Sequence, residues 1–312
     1  MIIKKSTVDM PREKWLEIRR ASIGGSDAGA LLGLNPYTSP YSLWAEKTGK
    51  VIPEDISQKE AVRLGNDLEQ YVAERFTEAT GKKVRRCNAI LYNTARPYAH
   101  ANPDRMIIGE NAGLECKTTS NLSYYHLLEK GQFPETWYTQ ITHYLMVTGA
   151  ERWYLAAIVF GKGFYHFCIE RNEEEIKALS TSEIDFWSLV QANVPPDVGG
   201  AESTTQAISQ MFPSSESGPR VDLMPMTSAL YAWQATKEQL EKLKAILQEQ
   251  QNQICEYMGS AESGASGEFK VSWKTQSRKT FDAKRFAQDH PELDLSAYYK
   301  ESTSRPFKLT KI

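Results

Sequence analysis

Between Asp104 and Lys117 the chain reads DRMIIGENAGLECK: an acid, ten residues, a second acid at Glu115, one residue, then a lysine. Few local patterns constrain a fold more tightly. Met106, Ile107 and Ile108 lead into Gly109, Glu110 and Asn111, residues suited to a turn. Gly113 and Leu114 open a second apolar run that carries Glu115 and Lys117. Side chains alternate across a strand, so Glu115 and Lys117 share a face. A hairpin through the turn sets Asp104 beside Glu115. Adjacent carboxylates repel unless a cation lies between them, and a hard divalent ion prefers oxygen ligands. A lysine on the same face can orient or deprotonate a water. Acid and lysine two apart on a strand also describe an ordinary solvated face, and the rest of the chain decides between the two readings.

At 312 residues there is room for one large domain or two modest ones. No apolar run is long enough for a bilayer. The N-terminal MIIKKSTVDMPREKW turns polar at once, unlike a signal peptide. A cytoplasmic protein is the expectation. Cys87, Cys116, Cys168 and Cys255 lie far apart without a CxxC pair, which argues against structural zinc, a disulfide framework or an iron–sulfur cluster.

The net charge of −2 is not that of a typical DNA-binding protein, but net charge is a poor guide where charge is segregated. Residues 171–200 are acidic, and Lys and Arg outnumber Asp and Glu across 268–312. Lys82, Lys83, Arg85 and Arg86 form a second basic cluster at the start of a strand. Either basic region suits a phosphate track or a solvated surface.

Periodicity and punctuation give the element order. Helices are expected over Pro11–Arg20, over AGALLG after a cap at Ser26 or Asp27, over Ser42–Thr48 and over Gln58–Thr80. Strands follow at Val84–Tyr92, Tyr98–Ala101 and Gly113–Thr118, then a helix from Pro134 to Gly149. Arg152–Phe160 and Gly163–Ile169 read as a hairpin, and Glu173–Ala192 as a helix. The fold class is mixed α/β, a central mixed sheet flanked by helices. Residues 1–195 form the main domain and 196–226, rich in Pro, Gly and Ser, a linker. Residues 227–312 form an accessory region. There, Trp233, Leu240, Leu247 and Ile254 recur at seven-residue steps on a long amphipathic helix, Thr227–Tyr257, expected to pack on a partner helix or on the main domain. Strands are expected at Phe269–Thr275 and Phe307–Lys311 around a short helix near Asp282–Asp289.

Three further constellations bear on chemistry. Glu69, in GNDLEQYV, is either a solvated helix residue or a third carboxylate over the sheet. Gln140, in YTQITHYL, reads from the residues alone as a core-edge polar residue on the helix after the strands. In WLEIRRASIGGSDAGALLG, Arg19 precedes Ser26 by seven residues. Ser26 stands in a Gly-rich turn at a helix mouth, where free N–H groups attract anions and an arginine supplies a fork for phosphate oxygens. An ordinary cap with a surface arginine has the same residues.

The D…ExK pattern is the signature of the PD-(D/E)XK nuclease superfamily. Four blocks, WLEIRRASIGGSD, GNDLEQYVAERF, ANPDRMI…GLECK and YTQITHYLMVTG, stand in order over roughly residues 12–190. With them the chain resembles the lambda-exonuclease-like, YqaJ-type viral recombinases, phage alkaline exonucleases that resect double-stranded DNA for recombination. Arg105 departs from the pattern, since many members have glycine after the aspartate. The resemblance implies that Asp104, Glu115 and the Cys116 carbonyl bind a metal and that Glu69 supports a second. It implies that Lys117 and Gln140 position the attacking water and that Arg19 and Ser26 hold a terminal 5′-phosphate. The implied ion is Mg²⁺, with Mn²⁺ as a substitute. The implied partners are double-stranded DNA ends, a single-strand annealing protein and further copies of the chain in a trimeric ring. The expected activity is a 5′→3′ double-strand exonuclease. An endonuclease or single-strand exonuclease on the same fold, or a non-catalytic DNA-binding recombination module, are the alternatives.

Overall fold

The computed structural model describes residues 1–218, 220–300 and 304–310. The chain divides into two compact units, Met1–Phe212 and Pro213–Ile312. The first opens with β1 (Ile2–Ser6), α1 (Arg12–Arg20), α2 (Gly25–Leu31), α3 (Pro40–Lys47) and the long α4 (Glu60–Thr80). Then come β2 (Val84–Arg86), β3 (Ala89–Asn93), β4 (Arg96–Ala101), β5 (Arg105–Ile107) and β6 (Ala112–Thr119). Helices α5 (Leu122–Glu129) and α6 (Glu135–Thr148) lead to β7 (Arg152–Val159), β8 (Gly163–Glu170), α7 (Glu173–Ala192) and α8 (Glu202–Met211).

The main sheet has the order β2-β5-β6-β7-β8. Only the β6–β7 pair is parallel, and α5 and α6 make the crossover it requires. The alternation of β7 shows how the layers form. Tyr154 and Ala156 pack with Val72, Ala73 and Phe76 of α4, while Trp153, Leu155 and Ala157 pack with Ile141, Leu145 and Val147 of α6. One helix therefore covers each face. On β6, Leu114 and Cys116 lie with the α4 layer, and Glu115 and Lys117 fall on the α6 side. The close approach of β7 needs Gly113, because a Cβ there would stand 2.1 Å from the Trp153 ring.

The expected mixed α/β architecture is present, with four differences in detail. Val84–Tyr92 is two strands, not one: β2 pairs with β5, and β3 joins β1 and β4 in a three-stranded sheet. The chain changes partners at Cys87 and Asn88, where Cys87 N–H still reaches the Asp104 carbonyl at 3.2 Å and the Asn88 carbonyl already accepts from Thr7. Gly24, not Ser26 or Asp27, caps α2. Asp27 sits three residues in and accepts the Gly24 N–H at 2.9 Å, the reach-back that fixes the helix start. Residues 196–226 are not loop throughout: α8 forms there because Ala207 and Thr204 are buried, Thr204 Oγ1 bonding Ser39 at 2.8 Å. Neither β1 nor α5 was foreseen, the one too polar and the other too short to stand out.

The second unit holds α9 (Thr227–Met258), β9 (Ser263–Ser266), β10 (Phe269–Ser272) and α10 (Ala283–Asp289). Strand β10 pairs with β9, across the turn at Gly267, and not with Phe307–Lys311. Residues 304–310 form no strand, and Lys311 lies outside the described residues. A two-residue turn closes a local hairpin more readily than a long return. The heptad stripe on α9 is present in one helix, none of whose residues is buried; Trp233 meets Phe307 edge to face at 5.3 Å. Among the described residues no helix is long and apolar enough to cross a membrane.

Candidate active site

Asp104 stands immediately before β5, and its Oδ2 accepts the Cys116 N–H of the neighbouring β6 at 2.8 Å. That bond docks the first acid against the strand that carries the second. Burial, and then the charge of Glu115, hold the Asp104 carboxyl well above the usual carboxylate range. Glu115 is itself buried, and its Oε1 accepts from both Lys117 Nζ and Gln140 Nε2 at 2.7 Å. Burial works against the Lys117 ammonium, but Glu115 and then Asp104 outweigh it and raise its pKa above the ordinary lysine value. Without a cation at the acids the lysine is a firm proton holder.

Gln140 spans the pair. Its Oε1 accepts from Lys117 Nζ at 2.9 Å while its Nε2 donates to Glu115 and to Tyr144 Oη, the latter also at 2.9 Å. Tyr144 donates onward to the Asn102 carbonyl at 3.2 Å, in the turn that delivers Asp104. Burial, then Glu115 and Asp104, keep its hydroxyl protonated far above the ordinary tyrosine value. Tyr144 was not singled out from sequence, although it lies four residues after Gln140 and so on the same helix face.

Glu69 takes another course. Its Oε1 pairs with the guanidinium of Arg105, which is buried and also donates to the Asp104 carbonyl at 3.0 Å and to Gln70 Oε1 at 3.2 Å. Arg105 thus couples the α4 carboxylate to the main chain at Asp104. It changes the environment of the third acid and not only the turn.

The N-terminal block forms an adjoining layer. Ile23 bridges to β4 by a bond from its N–H to the Tyr98 carbonyl and another from the His100 N–H, each 2.8 Å. This lays Gly24–Ser26 beside the strand that runs to Asp104. Gly25 packs so closely on α6 that a Cβ there would stand 2.5 Å from the Tyr144 ring and 3.1 Å from Gln140 Cγ. Ser26 and Gln140 therefore border one region. Arg19 donates to Ser26 Oγ at 3.0 Å and lies over the Trp15 ring at 4.8 Å. Beneath it, buried Lys47 holds buried Asp27 at 2.6 Å. Burial opposes the Asp27 charge, but Lys47 and then Arg19 hold its carboxyl below the usual range. His100 closes the floor, its Nδ1 at 2.8 Å from Ser22 Oγ, with burial pulling its pKa to about 3, so the ring is neutral.

The structure therefore gathers Asp104, Glu115, Cys116, Lys117 and Gln140 in one cluster, seats Arg19 and Ser26 together beside it, and binds Glu69 to Arg105. Among the described residues no three His, Cys, Asp or Glu side chains converge on one point. A divalent cation here would rely on two carboxylates and main-chain oxygen, an all-oxygen set that suits a hard ion when water or a ligand completes the shell. Glu115 Oε2 fits that role: it is buried and has no hydrogen-bond partner. Burial drives the Cys116 thiol far above its ordinary pKa, so its sulfur is no thiolate ligand.

Comparison with known proteins agrees with the resemblance. Residues 14–151 match the YqaJ-like viral recombinase domain. The chain is 36% identical over 310 residues to the uncharacterized protein YqaJ of Bacillus subtilis (strain 168), covering 97% of this chain and 96% of that protein. An alkaline exonuclease from Laribacter hongkongensis shares the fold, with a TM-score of 0.50 and 16% identity over 58% of this chain and 93% of that one. Its complex with dAMP superposes equally well, at a TM-score of 0.50. The chain belongs to the YqaJ-like viral recombinase family, which supports a nuclease role in recombination.

Proposed function

We propose that this protein is a Mg²⁺-dependent exonuclease that digests double-stranded DNA from 5′ ends, preparing them for recombination by single-strand annealing. The observation that carries the reading is the Asp104–Glu115–Lys117–Gln140 cluster, with one buried carboxylate oxygen left without a partner. Asp104, Glu115 and the Cys116 carbonyl would hold the ion, which supplies Lewis acidity at the scissile phosphate and charge for the leaving 3′-oxygen. Glu69, held by Arg105, would support it from the α4 side. Lys117 and Gln140 supply a donor and an acceptor that fix a water in line with the phosphorus. If Lys117 keeps its proton it stabilises the charge that builds in the transition state. Arg19 and Ser26 hold the terminal phosphate and so set which bond lies at the acids. The DNA end, a single-strand annealing protein and further copies of the chain in a ring are the proposed partners.

Digestion of a linear duplex with one end 5′-phosphorylated and labelled tests the reading. Mononucleotide release from that end, with Mg²⁺ and not with EDTA, is expected, and Asp104→Asn should abolish it. Internal nicking of a closed circle, or digestion confined to single strands, would assign another activity to the same fold. Full activity in Asp104→Asn would remove the site.

A further inference from the structure

A second feature of the first unit points to nucleic acid. A groove of about 550 Å³ runs between α4 and the sheet edge, lined by Lys83, Arg85, Arg86 and Arg105 with Glu74 and Glu78 on the helix side. Strand β2 is the edge, paired with β5 alone. Arg86 stands directly opposite Arg105 in that pair, and Asp104 is the next residue along. Two arginines face to face repel in a strand pair. The repulsion is tolerated because Arg105 is neutralised by Glu69. Lys83, Arg85 and Arg86 have no such partner among the described residues, and all three are exposed. The acids on the opposite wall are engaged elsewhere: Glu78 with Arg75 at 3.2 Å, and Glu74 as acceptor from Gln70 at 2.9 Å. The groove is therefore basic along its strand wall, and at the end of that wall Arg86 stands across from Arg105, the residue after Asp104.

From this geometry we propose that the groove binds the sugar–phosphate backbone of a single DNA strand, the undigested strand as it separates at the metal centre. The inference rests on the nuclease reading above. Pockets of ~300–1,000 Å³ take a drug-sized ligand, so this one accommodates a short run of one strand and not a duplex. Arg85 and Arg86 sit on β2 with Lys83 just before it, and Arg86 is paired with the residue next to Asp104, where a strand parted from its partner would pass. Charge on an edge strand also guards against unwanted pairing. That role needs no groove and no alignment with the catalytic acid.

The test is equilibrium binding of fluorescent duplexes by the full chain in Ca²⁺, over a series of KCl concentrations. One probe is blunt; the other bears a 3′ single-stranded extension. Wild type should bind the extended duplex more tightly. In Lys83→Gln/Arg85→Gln/Arg86→Gln that advantage should fall about 10-fold or more, and the salt slope for the extended probe should become shallower by about 2, for roughly three lost single-strand phosphate contacts. Arg86→Gln alone should remove about 0.7 of slope. Arg85→Lys/Arg86→Lys should retain most binding, because phosphate accepts a point charge. An unchanged slope in both glutamine variants, or equal losses for the two probes, overturns the proposal and leaves the nuclease reading intact. Failure of wild type to bind either probe overturns the nuclease reading itself.

Discussion

Lys117 Nζ donates to Glu115 Oε1 at 2.7 Å, two residues along one face of β6. The group proposed to orient water is thus also the counter-ion of a proposed metal ligand. The two roles predict opposite effects of one substitution. Lys117→Ala should lower the rate of hydrolysis ~10²–10⁴-fold, the usual weight of an acid–base or orienting group. Affinity for Mg²⁺ should hold or rise, because Asp104 and Glu115 lose a competing cation. Calorimetric titration beside a single-turnover digest separates the effects. A loss of Mg²⁺ binding parallel to the loss of rate would show that the lysine only shapes the acids.

Tyr144 should act through Gln140 and not on DNA. Tyr144→Phe removes the acceptor that steadies Gln140 Nε2 and the donor to the Asn102 carbonyl. At about 1 kcal/mol for each bond, kcat should fall roughly 10- to 30-fold. KM for duplex DNA should barely move. Gln140→Ala should cost more, since it releases Glu115 and Lys117 together. A Tyr144→Phe effect seated in KM would place the tyrosine in the DNA path.

Much of this site was legible because its chemistry is local. Alternation alone put Glu115 and Lys117 on one face, and one turn brought Asp104 alongside. Gln140 entered by resemblance, since nothing in a sequence says which face of the sheet α6 covers. Arg105 and Glu69 were read separately because 36 positions divide them, and their pairing depends on how α4 lies over β5. The split of Val84–Tyr92 was hidden for a related reason: alternation reports faces, not partners. Asp27 read as a candidate cap and Lys47 was not singled out, since only tertiary packing brings the two together and buries both.

That buried pair carries a stability prediction. Lys47 Nζ bonds Asp27 Oδ2 and the carbonyls of Arg19 and Ser22. Lys47→Met should destabilise the protein by ~3–5 kcal/mol at neutral pH, the cost of stranding one member of a buried pair. The folded-state pKa of Asp27 is depressed, so its contribution is present above the unfolded carboxylate value and is lost as pH falls through the folded one. The gap between wild type and Lys47→Met should therefore narrow below about pH 4. Urea unfolding followed by tryptophan fluorescence at both pH values measures it. A gap that stays constant with pH would mean that the lysine acts through its aliphatic chain and carbonyl bonds alone.

Arg19 is the residue proposed to hold the terminal phosphate. Its NH2 group donates to Ser26 Oγ at 3.0 Å and stays 3.9 Å from Asp27, whose charge Lys47 already meets at closer range. The guanidinium charge is thus not cancelled, and the Trp15 ring beneath it limits its motion. A terminal phosphate carries nearly two negative charges and an internal diester one, so the proposed pocket would favour ends. Loss of a charge-assisted contact costs about 1.5–3 kcal/mol, or roughly 10- to 150-fold in a rate it governs. Arg19→Ala should slow digestion of 5′-phosphorylated duplex by that factor and bring it level with 5′-hydroxyl duplex. Arg19→Lys should recover only part, because an ammonium lacks the fork. Residual cleavage should persist in both variants, since Asp104, Glu115 and Lys117 are untouched. The quantity to compare is the ratio of initial rates on the two ends, wild type against variant. A wild type indifferent to the phosphate, or a ratio unmoved by Arg19→Ala, would reduce Arg19 to a clasp that holds Ser26 and the start of α2 in place.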